Sequence, residues 1–306
     1  VDYSMYAAID LGSNSFHLLI GDWVDGQITI VERCSEKVQL GEGVSKTGVI
    51  SRGSFKRGLD CLSNFTELMR NYPIREYWAL GTNTLRVAQN AGDFLSASQA
   101  QGIQIRVISG IQEAMLIYAG VCLNLPKDGR LRLAADIGGG STEVVLGRDD
   151  QRIIAESIQV GSVSWRDKFF LDLRSEIEAN KQIDLAVSSA INEFSKISSV
   201  LKEKEWAEAY ASSGTVKMLM HISNGHGFGS DTISLNFLLE LRLKIIKASV
   251  YGEPLNGLKE ARRDLLLSGW SILVGFMQSF EILEIQFSPF ALREGMFDFM
   301  AKNEVI

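Results

Sequence analysis

A short phrase that joins an aspartate to a run of glycine and serine occurs twice in the chain. The first copy is Asp10-Leu11-Gly12-Ser13-Asn14-Ser15, and the second is Asp136-Ile137-Gly138-Gly139-Gly140-Ser141-Thr142-Glu143. Apolar residues flank each copy, a pattern typical of strand, tight turn and strand. Such turns present several backbone N–H groups to one side, as phosphate-holding loops do. The duplication therefore predicts two halves that face each other across one phosphate site.

The acidic residues of these phrases are suited to a metal ion. Mg²⁺ that is bound to phosphate prefers carboxylates, waters and phosphate oxygens. Asp136 and Glu143 are separated only by the glycine turn, so both could reach one ion if the hairpin is tight. The competing interpretation is an aspartate that only shapes the turn and a strand glutamate that faces outward.

Glu113 is a candidate for proton transfer. Ser109 and Gln112 form a capping-box pattern, which places Glu113 in the first turn of a helix. An acidic residue at that position could also act only on the helix dipole. From position alone the dipole role is the stronger interpretation.

Two further segments could bind anions. Arg86 follows the turn at 81–84 after an apolar strand, and its guanidinium could bind a phosphate with two donors; a surface salt bridge is the alternative. Ser213, Gly214 and Thr215 open a predicted helix, whose N–H groups could hold an anion. The same residue types also cap helices for structural reasons.

Composition excludes several classes of protein. The chain has 306 residues, is 46% hydrophobic and carries a net charge of −6, which argues against a general nucleic-acid binder. Its three cysteines form no CxxC pair, so neither a disulfide framework nor a zinc knuckle is indicated. No secretory signal or membrane span is visible in this sequence, and we expect a cytoplasmic protein with no membrane or DNA partner.

The predicted elements follow one plan twice. Strand-rich starts give way to alternating helices and strands, which predicts an α/β fold with two lobes and a cleft between them. We place the first lobe at 1–126, with the last helix at about 291–306 packed back on it, and the second at 127–290. The sequence further predicts a strand at 37–40 and helices at 182–202, 235–250 and 263–279.

Several sequence motifs follow one another along the chain in an order that is typical of one protein family. They are the Asp10 phrase, Thr84-Leu85-Arg86, Val107-Ile108-Ser109-Gly110 with Glu113-Ala114, the Asp136 phrase and Ala291-Leu292-Arg293-Glu294-Gly295. From about residue 6 to the end, the chain closely resembles the exopolyphosphatase / guanosine pentaphosphate phosphohydrolase (Ppx/GppA) family. That family belongs to the actin-like, sugar kinase and Hsp70 ATPase superfamily.

The resemblance implies a fold, an activity and a set of site residues. The fold is two ribonuclease-H-like lobes with mixed sheets flanked by helices and a phosphate-binding cleft. The activity is hydrolysis of a terminal phosphoric anhydride of inorganic polyphosphate or guanosine pentaphosphate, with Mg²⁺ or Mn²⁺. The implied catalytic residue is Glu113, and the metal ligands are Asp136 and Glu143. The implied phosphate-binding residues are Asp10, Gly12, Ser13, Asn14, Ser15, Arg86, Gly138, Gly139, Gly140, Ser141, Thr142, Ser213, Gly214 and Thr215.

The chain departs from the family pattern in two ways. It stops near residue 306, whereas longer exopolyphosphatases carry a further helical region that extends the polyanion track. We therefore expect little processivity on long chains. The short chain, together with the close similarity of residues 6–22 and 84–95 to the pentaphosphatase branch of the family, favours the nucleotide as substrate. Gln112 stands where many members have a second acid, which should not matter if Glu113 is the base.

Three functions remain open at this point. The first is the exophosphatase, and the second is a kinase or ATPase of the same superfamily, recognised by stoichiometric ATP consumption with an acceptor. The third is a non-catalytic sensor of guanosine tetra- or pentaphosphate, recognised by binding without phosphate release. The intact acids Glu113, Asp136 and Glu143 favour the enzyme. A homodimer is a possible assembly.

Overall fold

The computed structural model describes residues 4–229 and 231–306, and two units divide the chain. The first unit contains the described residues up to Leu125 together with Phe290–Ile306. The second unit is the continuous stretch Pro126–Pro289.

The first unit is a mixed sheet with helices on both faces. Its strands lie in the order β3-β2-β1-β4-β5, with β1, β2 and β3 antiparallel and β4 and β5 parallel to β1. This order agrees with the ribonuclease-H-like lobe that the sequence predicts. The elements are β1 (Met5–Leu11), β2 (Phe16–Val24), β3 (Gln27–Glu36), α1 (Val44–Thr47), α2 (Arg52–Met69), β4 (Ile74–Gly81), α3 (Asn83–Val87), α4 (Ala91–Ala100), β5 (Ile105–Val107), α5 (Gly110–Cys122) and, from the end of the chain, α12 (Leu292–Lys302).

Alternation along the strands separates the two faces of this sheet. Ile9 and Phe16 lie on the face that packs with Phe65 of α2 and Phe94 of α4. On the other face, Tyr6 of β1 meets the ring of Phe297 in α12 edge to face at 6.3 Å.

Two glycines let α5 and α12 cross with their backbones in contact. A Cβ on Gly120 would lie 1.9 Å from the carbonyl oxygen of Ala291, and one on Gly295 would lie 1.8 Å from that of Leu116. No side chain fits at either position, so the crossing depends on glycine. The last helix is thereby held against the helix that carries Glu113.

The second unit repeats the plan with additions. Its strands lie in the order β10-β11-β9-β6-β7-β8, with β6, β7 and β8 antiparallel and β9 parallel to β6. The elements are β6 (Leu131–Ile137), β7 (Thr142–Arg148), β8 (Gln151–Ile158), α6 (Ser162–Phe169), α7 (Glu176–Lys202), β9 (Glu208–Ser212), α8 (Gly214–Gly225), β10 (Thr232–Ser234), α9 (Leu235–Glu240), α10 (Arg242–Tyr251), a 3₁₀ helix (Glu260–Leu265), α11 (Leu266–Ser279) and β11 (Glu284–Phe287).

The core of the second unit is built on one face of this sheet. Leu133, Ala135 and Ile137 point into a cluster that includes Phe194 of α7 and Phe276 of α11. These two rings meet edge to face at 5.2 Å. The alternate residues of β6, Asp136 among them, therefore lie on the opposite face.

Four boundary predictions are wrong. Lys37–Leu40 is not a strand, because Gln39 takes a left-handed conformation (φ 55°) and its N–H binds the first glycine turn. The helix predicted at 182–202 begins at Glu176, since Ser175 caps it by accepting from the Glu178 N–H. The helix predicted at 235–250 divides at Leu241, and the one predicted at 263–279 is preceded by a 3₁₀ helix.

The α/β prediction with two helix-flanked mixed sheets is confirmed. Within residues 4–229 and 231–306, no helix combines the length and the apolarity needed to cross a lipid bilayer.

Candidate active site

The first glycine turn joins β1 to β2 and is braced from outside. The carbonyls of Ser13 and Asn14 accept the N–H groups of Gly41 and Gln39, each at 2.8 Å. Thr84, in α3, donates its hydroxyl to Ser13 Oγ at 2.8 Å. Because the carbonyls of the turn point to these braces, its shape is fixed before any ligand arrives.

The polar groups of this turn are available to a ligand. Across the part of the chain that the structure describes, the N–H groups of Gly12, Ser13 and Asn14 donate to no protein acceptor. Asn14 is buried, and its Oδ1 has no protein hydrogen-bond partner there. Buried polar groups are normally satisfied by protein, water or a ligand, so this oxygen has a position open for a water or a polar ligand. Asp10, the penultimate residue of β1, lies directly opposite His17 of β2.

Arg86 and Glu113 form a buried ion pair. Arg86 Nη1 lies 2.6 Å from Glu113 Oε2 and 3.0 Å from the carbonyl oxygen of Ile108. The two side chains are 17% and 10% exposed, so the surface salt bridge considered for Arg86 is wrong. Ser109 and Gln112 complete the predicted capping box, which fixes the first turn of α5 where Glu113 lies.

The second glycine turn carries two acids on one face of the sheet. Asp136 and Glu143 are directly opposed partners in the antiparallel register of β6 and β7. Ser212 donates its hydroxyl to Asp136 Oδ2 at 2.5 Å. Ser141 and Ser157 each donate to Glu143 Oε1 at 2.7 Å. The glutamate is 1% exposed, so the outward-facing alternative is wrong.

This acid pair fits a magnesium ion that keeps several non-protein ligands. Like charges directly opposed across two strands are destabilising unless something offsets them. Mg²⁺ is usually bound by one or two carboxylates with waters and phosphate oxygens completing its shell. No group of three acid, histidine or cysteine side chains that could hold a metal ion occurs in residues 4–229 and 231–306.

The glycine turn itself rests on the start of α6. Gly139 O accepts the N–H groups of Val163 and Ser164 at 2.8 and 3.2 Å. A Cβ on Gly161 would lie 2.4 Å from the backbone of Gly139 and of Gly140. Within the described ranges, the N–H groups of Gly139 and Gly140 donate to no protein acceptor, as in the first turn. Ser141 and Thr142 are buried beside them.

The start of α8 shows the structural capping that was the alternative interpretation of this segment. Ser213 Oγ accepts the N–H groups of Thr215 and Val216 at 3.1 and 3.2 Å, so those two groups are not free for an anion. The backbone of Ser213 has φ 111 and ψ 167. Residues other than glycine rarely occupy that region, and such strain persists only where the surroundings impose it.

The positive charge at this helix start comes from Arg262, which the sequence did not single out. A Cβ on Gly214 would lie 2.6 Å from the Arg262 guanidinium, so the guanidinium lies against the helix backbone. Burial lowers the pKa of Arg262, and the nearby charge of Asp264 opposes that effect. Asp264, the acid whose charge acts on Arg262, is itself bound by Arg166 Nη1 at 3.0 Å, and burial of a cation is costly unless it is well paired. An anionic ligand would remove that cost.

The predicted site residues thus form one cluster in each unit. The first unit holds the turn at 10–15 together with the Arg86–Glu113 pair, and Thr84 links them because it precedes Arg86 in α3. The second unit holds the turn at 136–143 together with Ser213–Thr215, which follow Ser212. The residues that sequence reasoning missed are Ser157, Gly161, Ser212 and Arg262.

Comparison with known proteins decides the family. The sequence model of the Ppx/GppA phosphatase family matches residues 19–304. The chain belongs to the Ppx/GppA phosphatase family. It is a hydrolase of that family.

Two relatives show how far the similarity extends. A Haemophilus influenzae protein provisionally named as an exopolyphosphatase is 36% identical over 97% of this chain and 91% of its own length. A guanosine-5′-triphosphate,3′-diphosphate pyrophosphatase of Aliivibrio fischeri is 35% identical over 95% of this chain. The chain spans only 58% of the Aliivibrio protein.

Solved structures support the Ppx/GppA fold. An exopolyphosphatase from Cytophaga hutchinsonii superposes with a TM-score of 0.87 at 23% identity, covering 98% of this chain and 99% of that one. The Aquifex aeolicus member of the Ppx/GppA family has a TM-score of 0.78 at 22% identity and covers 98% of each chain. At these identities the likeness establishes the fold.

Proposed function

We propose that this Ppx/GppA protein releases the terminal phosphate of guanosine pentaphosphate, of inorganic polyphosphate or of both. The observation that carries the proposal is the buried Arg86–Glu113 pair beside a braced turn whose N–H groups have no protein acceptors. A phosphoryl group needs positioning and charge neutralisation, and the attacking water needs a base. The first unit contains residues suited to each of these tasks.

Glu113 is the proposed base. Its carboxylate is fixed by the capped first turn of α5 and by Arg86 Nη1, so the orientation of its oxygens is set before a water arrives. A base must hold its water in line with the leaving oxygen, and such positioning accounts for much of the rate of phosphoryl transfer. Glu113 would accept the proton of that water.

Arg86 is the proposed phosphate ligand of the first unit. Guanidinium has five donors, and Nη1 is engaged with Glu113 and the Ile108 carbonyl. A guanidinium beside the base places positive charge where a phosphoryl oxygen must come close to the attacking water. The N–H groups of Gly12, Ser13 and Asn14 would supply further donors of the oxyanion-hole type.

In the second unit, Asp136 and Glu143 would hold Mg²⁺ or Mn²⁺. When bound, the ion would neutralise the part of the phosphate charge that the backbone N–H groups and guanidinium groups do not offset. The serine hydroxyls that donate to both carboxylates orient them for a ligand on the remaining oxygens. Gly138, Gly139 and Gly140 would bind phosphate oxygens through the backbone, and Arg262 would do so at the start of α8.

The name of the Haemophilus relative points to polyphosphate and that of the Aliivibrio relative to guanosine pentaphosphate, so both substrates are tested side by side. Phosphate release is measured on guanosine pentaphosphate and on short and long polyphosphate, with wild type and Glu113→Gln, with and without Mg²⁺. We expect metal-dependent release by wild type on at least one substrate and its loss in the variant. Release only when an acceptor hydroxyl is added would indicate a kinase, and binding without release would indicate a sensor.

A further inference from the structure

Four residues form a row across four neighbouring strands of the second unit. They are Ser212 of β9, Asp136 of β6, Glu143 of β7 and Ser157 of β8, and each directly opposes the next in the register of the sheet. Directly opposed residues point to the same face of a sheet and interact with each other. Two carboxylates therefore stand in the middle of the row, with a hydroxyl group at each end.

The hydroxyl group at each end of the row donates to the carboxylate beside it. Ser212 Oγ lies 2.5 Å from Asp136 Oδ2, and Ser157 Oγ lies 2.7 Å from Glu143 Oε1. Ser141, in the glycine turn, donates a further hydroxyl to the same oxygen of Glu143, also at 2.7 Å. Two hydroxyl groups thus converge on one oxygen of the glutamate.

This convergence limits what Glu143 can offer to a metal ion. A carboxylate oxygen has about two lone-pair sites for donors or metals. The hydroxyl groups of Ser141 and Ser157 occupy both sites of Oε1. Glu143 is 1% exposed, so bulk water has little access to displace them. A metal ion that binds this glutamate must therefore use Oε2, and the carboxylate cannot bind it through both oxygens.

The number of carboxylate oxygens at a site distinguishes Mg²⁺ from Ca²⁺. Ca²⁺ takes about six to eight oxygen ligands in a flexible geometry and readily accepts both oxygens of one carboxylate. Mg²⁺ requires a nearly octahedral shell, in which one or two carboxylates are completed by waters and phosphate oxygens. A glutamate restricted to one oxygen withholds a ligand that Ca²⁺ would use and none that Mg²⁺ needs.

The first unit has a corresponding row with a different residue at its centre. Asp10, His17 and Ser35 directly oppose one another across β1, β2 and β3. A histidine stands where the second unit has its glutamate, so this row has one carboxylate instead of two. Ser35 is exposed at the end of the row and stands opposite the histidine. It therefore provides a matched control for Ser157.

We infer that Ser157 sets the metal selectivity of the second unit: by occupying Glu143 Oε1 it restricts the glutamate to one oxygen and so favours Mg²⁺ over Ca²⁺. This inference deepens the proposed function and rests on its assignment of Asp136 and Glu143 as metal ligands. Ser157 is a positioning residue, since it acts through Glu143. Without its hydroxyl group, Oε1 gains an open site, and the glutamate can bind Ca²⁺ through both oxygens.

The test compares variants of Ser157 in the full chain. Ser157→Ala removes the hydroxyl group. Ser157→Thr keeps it, whereas Ser157→Val puts a methyl group in its place, and both of these side chains are well suited to a strand. Ser35→Ala removes a hydroxyl group from the corresponding position of the first unit. The dissociation constants of Mg²⁺ and of Ca²⁺ are measured by calorimetric titration of each protein with the metal alone.

We expect wild type, Ser157→Thr and Ser35→Ala to bind Mg²⁺ more tightly than Ca²⁺. Ser157→Ala and Ser157→Val should bind Mg²⁺ about tenfold more weakly, the lower end of the usual cost of losing a partner of a metal ligand. Their affinity for Ca²⁺ should be retained or increased, so the ratio of the two dissociation constants moves about tenfold toward Ca²⁺. Ca²⁺ should also inhibit Mg²⁺-dependent phosphate release more strongly in these two variants.

A ratio that is unchanged in Ser157→Ala and Ser157→Val would overturn the inference, as would a wild type that binds Mg²⁺ no more tightly than Ca²⁺. An equal shift in Ser157→Thr would also overturn it, because the hydroxyl group would then not be the cause. If Ser157→Ala does not fold, the comparison of Ser157→Thr with Ser157→Val decides.

Phosphate release by wild type with Mg²⁺ is measured in parallel, so that the two proposals can fail separately. Release together with an unchanged ratio leaves the proposed function standing and removes the inference. A shifted ratio without release from any substrate supports the role of Ser157 and removes the proposed activity.

Discussion

Arg86 Nη1 is shared between the Glu113 carboxylate, at 2.6 Å, and the carbonyl oxygen of Ile108, at 3.0 Å. Ile108 ends the segment after β5 and immediately precedes the N-cap of α5. One guanidinium nitrogen therefore ties the proposed base to the chain that positions its helix. A change at either residue should disturb both the chemistry and the placement of α5.

Glu113→Gln should lower turnover by roughly 10²–10⁴-fold, the usual contribution of a general base. Glutamine retains an acceptor for Arg86 Nη1 but cannot take the proton of the water. The weaker pairing should cost about 1–3 kcal/mol of unfolding free energy, more than the ~0.3–1 kcal/mol of a helix-dipole effect alone. Turnover is measured at saturating substrate alongside urea unfolding. Activity within about threefold of wild type would assign Glu113 to helix capping.

Arg86→Ala should weaken substrate binding more than Arg86→Lys does, because lysine keeps the charge although it loses the planar fork. Both variants should also lose stability, since removing one partner of a buried pair costs about 3–5 kcal/mol. Combining Arg86→Ala with Glu113→Gln separates these effects in a double-mutant cycle. Wild-type Michaelis constants in both single variants would exclude a phosphate role for Arg86.

Asp136→Asn should abolish the response of activity to Mg²⁺ or Mn²⁺ far more than Asp149→Asn does. Asp136 stands opposite Glu143 and is oriented by Ser212. Asp149 is a suitable control because it occupies a left-handed turn, with φ 50, and asparagine also tolerates that conformation. The metal concentration needed for half-maximal rate is measured for each. Full turnover of wild type in excess chelator would remove the metal from the mechanism.

Gly161→Ala should destabilise the second unit by about 1–3 kcal/mol, the usual cost of overpacking. The new methyl group would lie 2.4 Å from the backbone of Gly139 and Gly140, so the glycine turn must shift. Gly92→Ala is the control, since nothing lies within 4 Å of the added methyl and its helix position favours alanine. Urea midpoints and phosphate release are compared. If Gly161→Ala is active and its urea midpoint is unchanged, the glycine turn can shift at little energetic cost, and the prediction is contradicted.

Asp128 should make stability depend on pH in the acid range. Its carboxylate is bound by Arg130, and Arg132 lies 2.8 Å from it, so the pKa of Asp128 falls from the ordinary value to about 2. A depressed pKa in the folded state means that the stabilisation is present above pH ~4 and is lost as pH falls toward 2. The difference in Tm between wild type and Asp128→Asn should therefore shrink over that range. A difference that stays constant from pH 5 to 2 would contradict this account.

The sequence predicts this fold well where local chemistry decides it. The two strand–turn–strand phrases, the capping box at Ser109 and the apolar spacing of α2 are local signals, and the structure confirms all three. The wrong strand at 37–40 shows the limit of such signals. Residues 37–40 do alternate between polar and apolar side chains. The N–H groups of Gln39 and Gly41 nevertheless donate to carbonyl groups of the first glycine turn, from which β2 and β3 separate them in the sequence.

The residues of the candidate site likewise fall into those that a local sequence motif reveals and those that only the fold brings to the site. The acids and glycines are visible because their motifs are contiguous. Ser212 and Ser157 reach Asp136 and Glu143 only through neighbouring strands, and Arg262 reaches Gly214 from a segment much further along the chain. Register would have suggested Ser212, because it is the parallel partner of Asp136. No local pattern marks Arg262.

The crossing of Gly120 and Gly295 bears on how the protein is made. α12 follows the second unit in the sequence, yet its backbone lies against α5, so the first unit lacks one of its helices until the second unit has been synthesised. The second unit is continuous in sequence and has its full set of residues earlier. On a ribosome, where domains fold as they emerge, the unit that begins first is therefore the one that can be completed last. During that interval α5, the helix that carries Glu113, lacks its contact with α12.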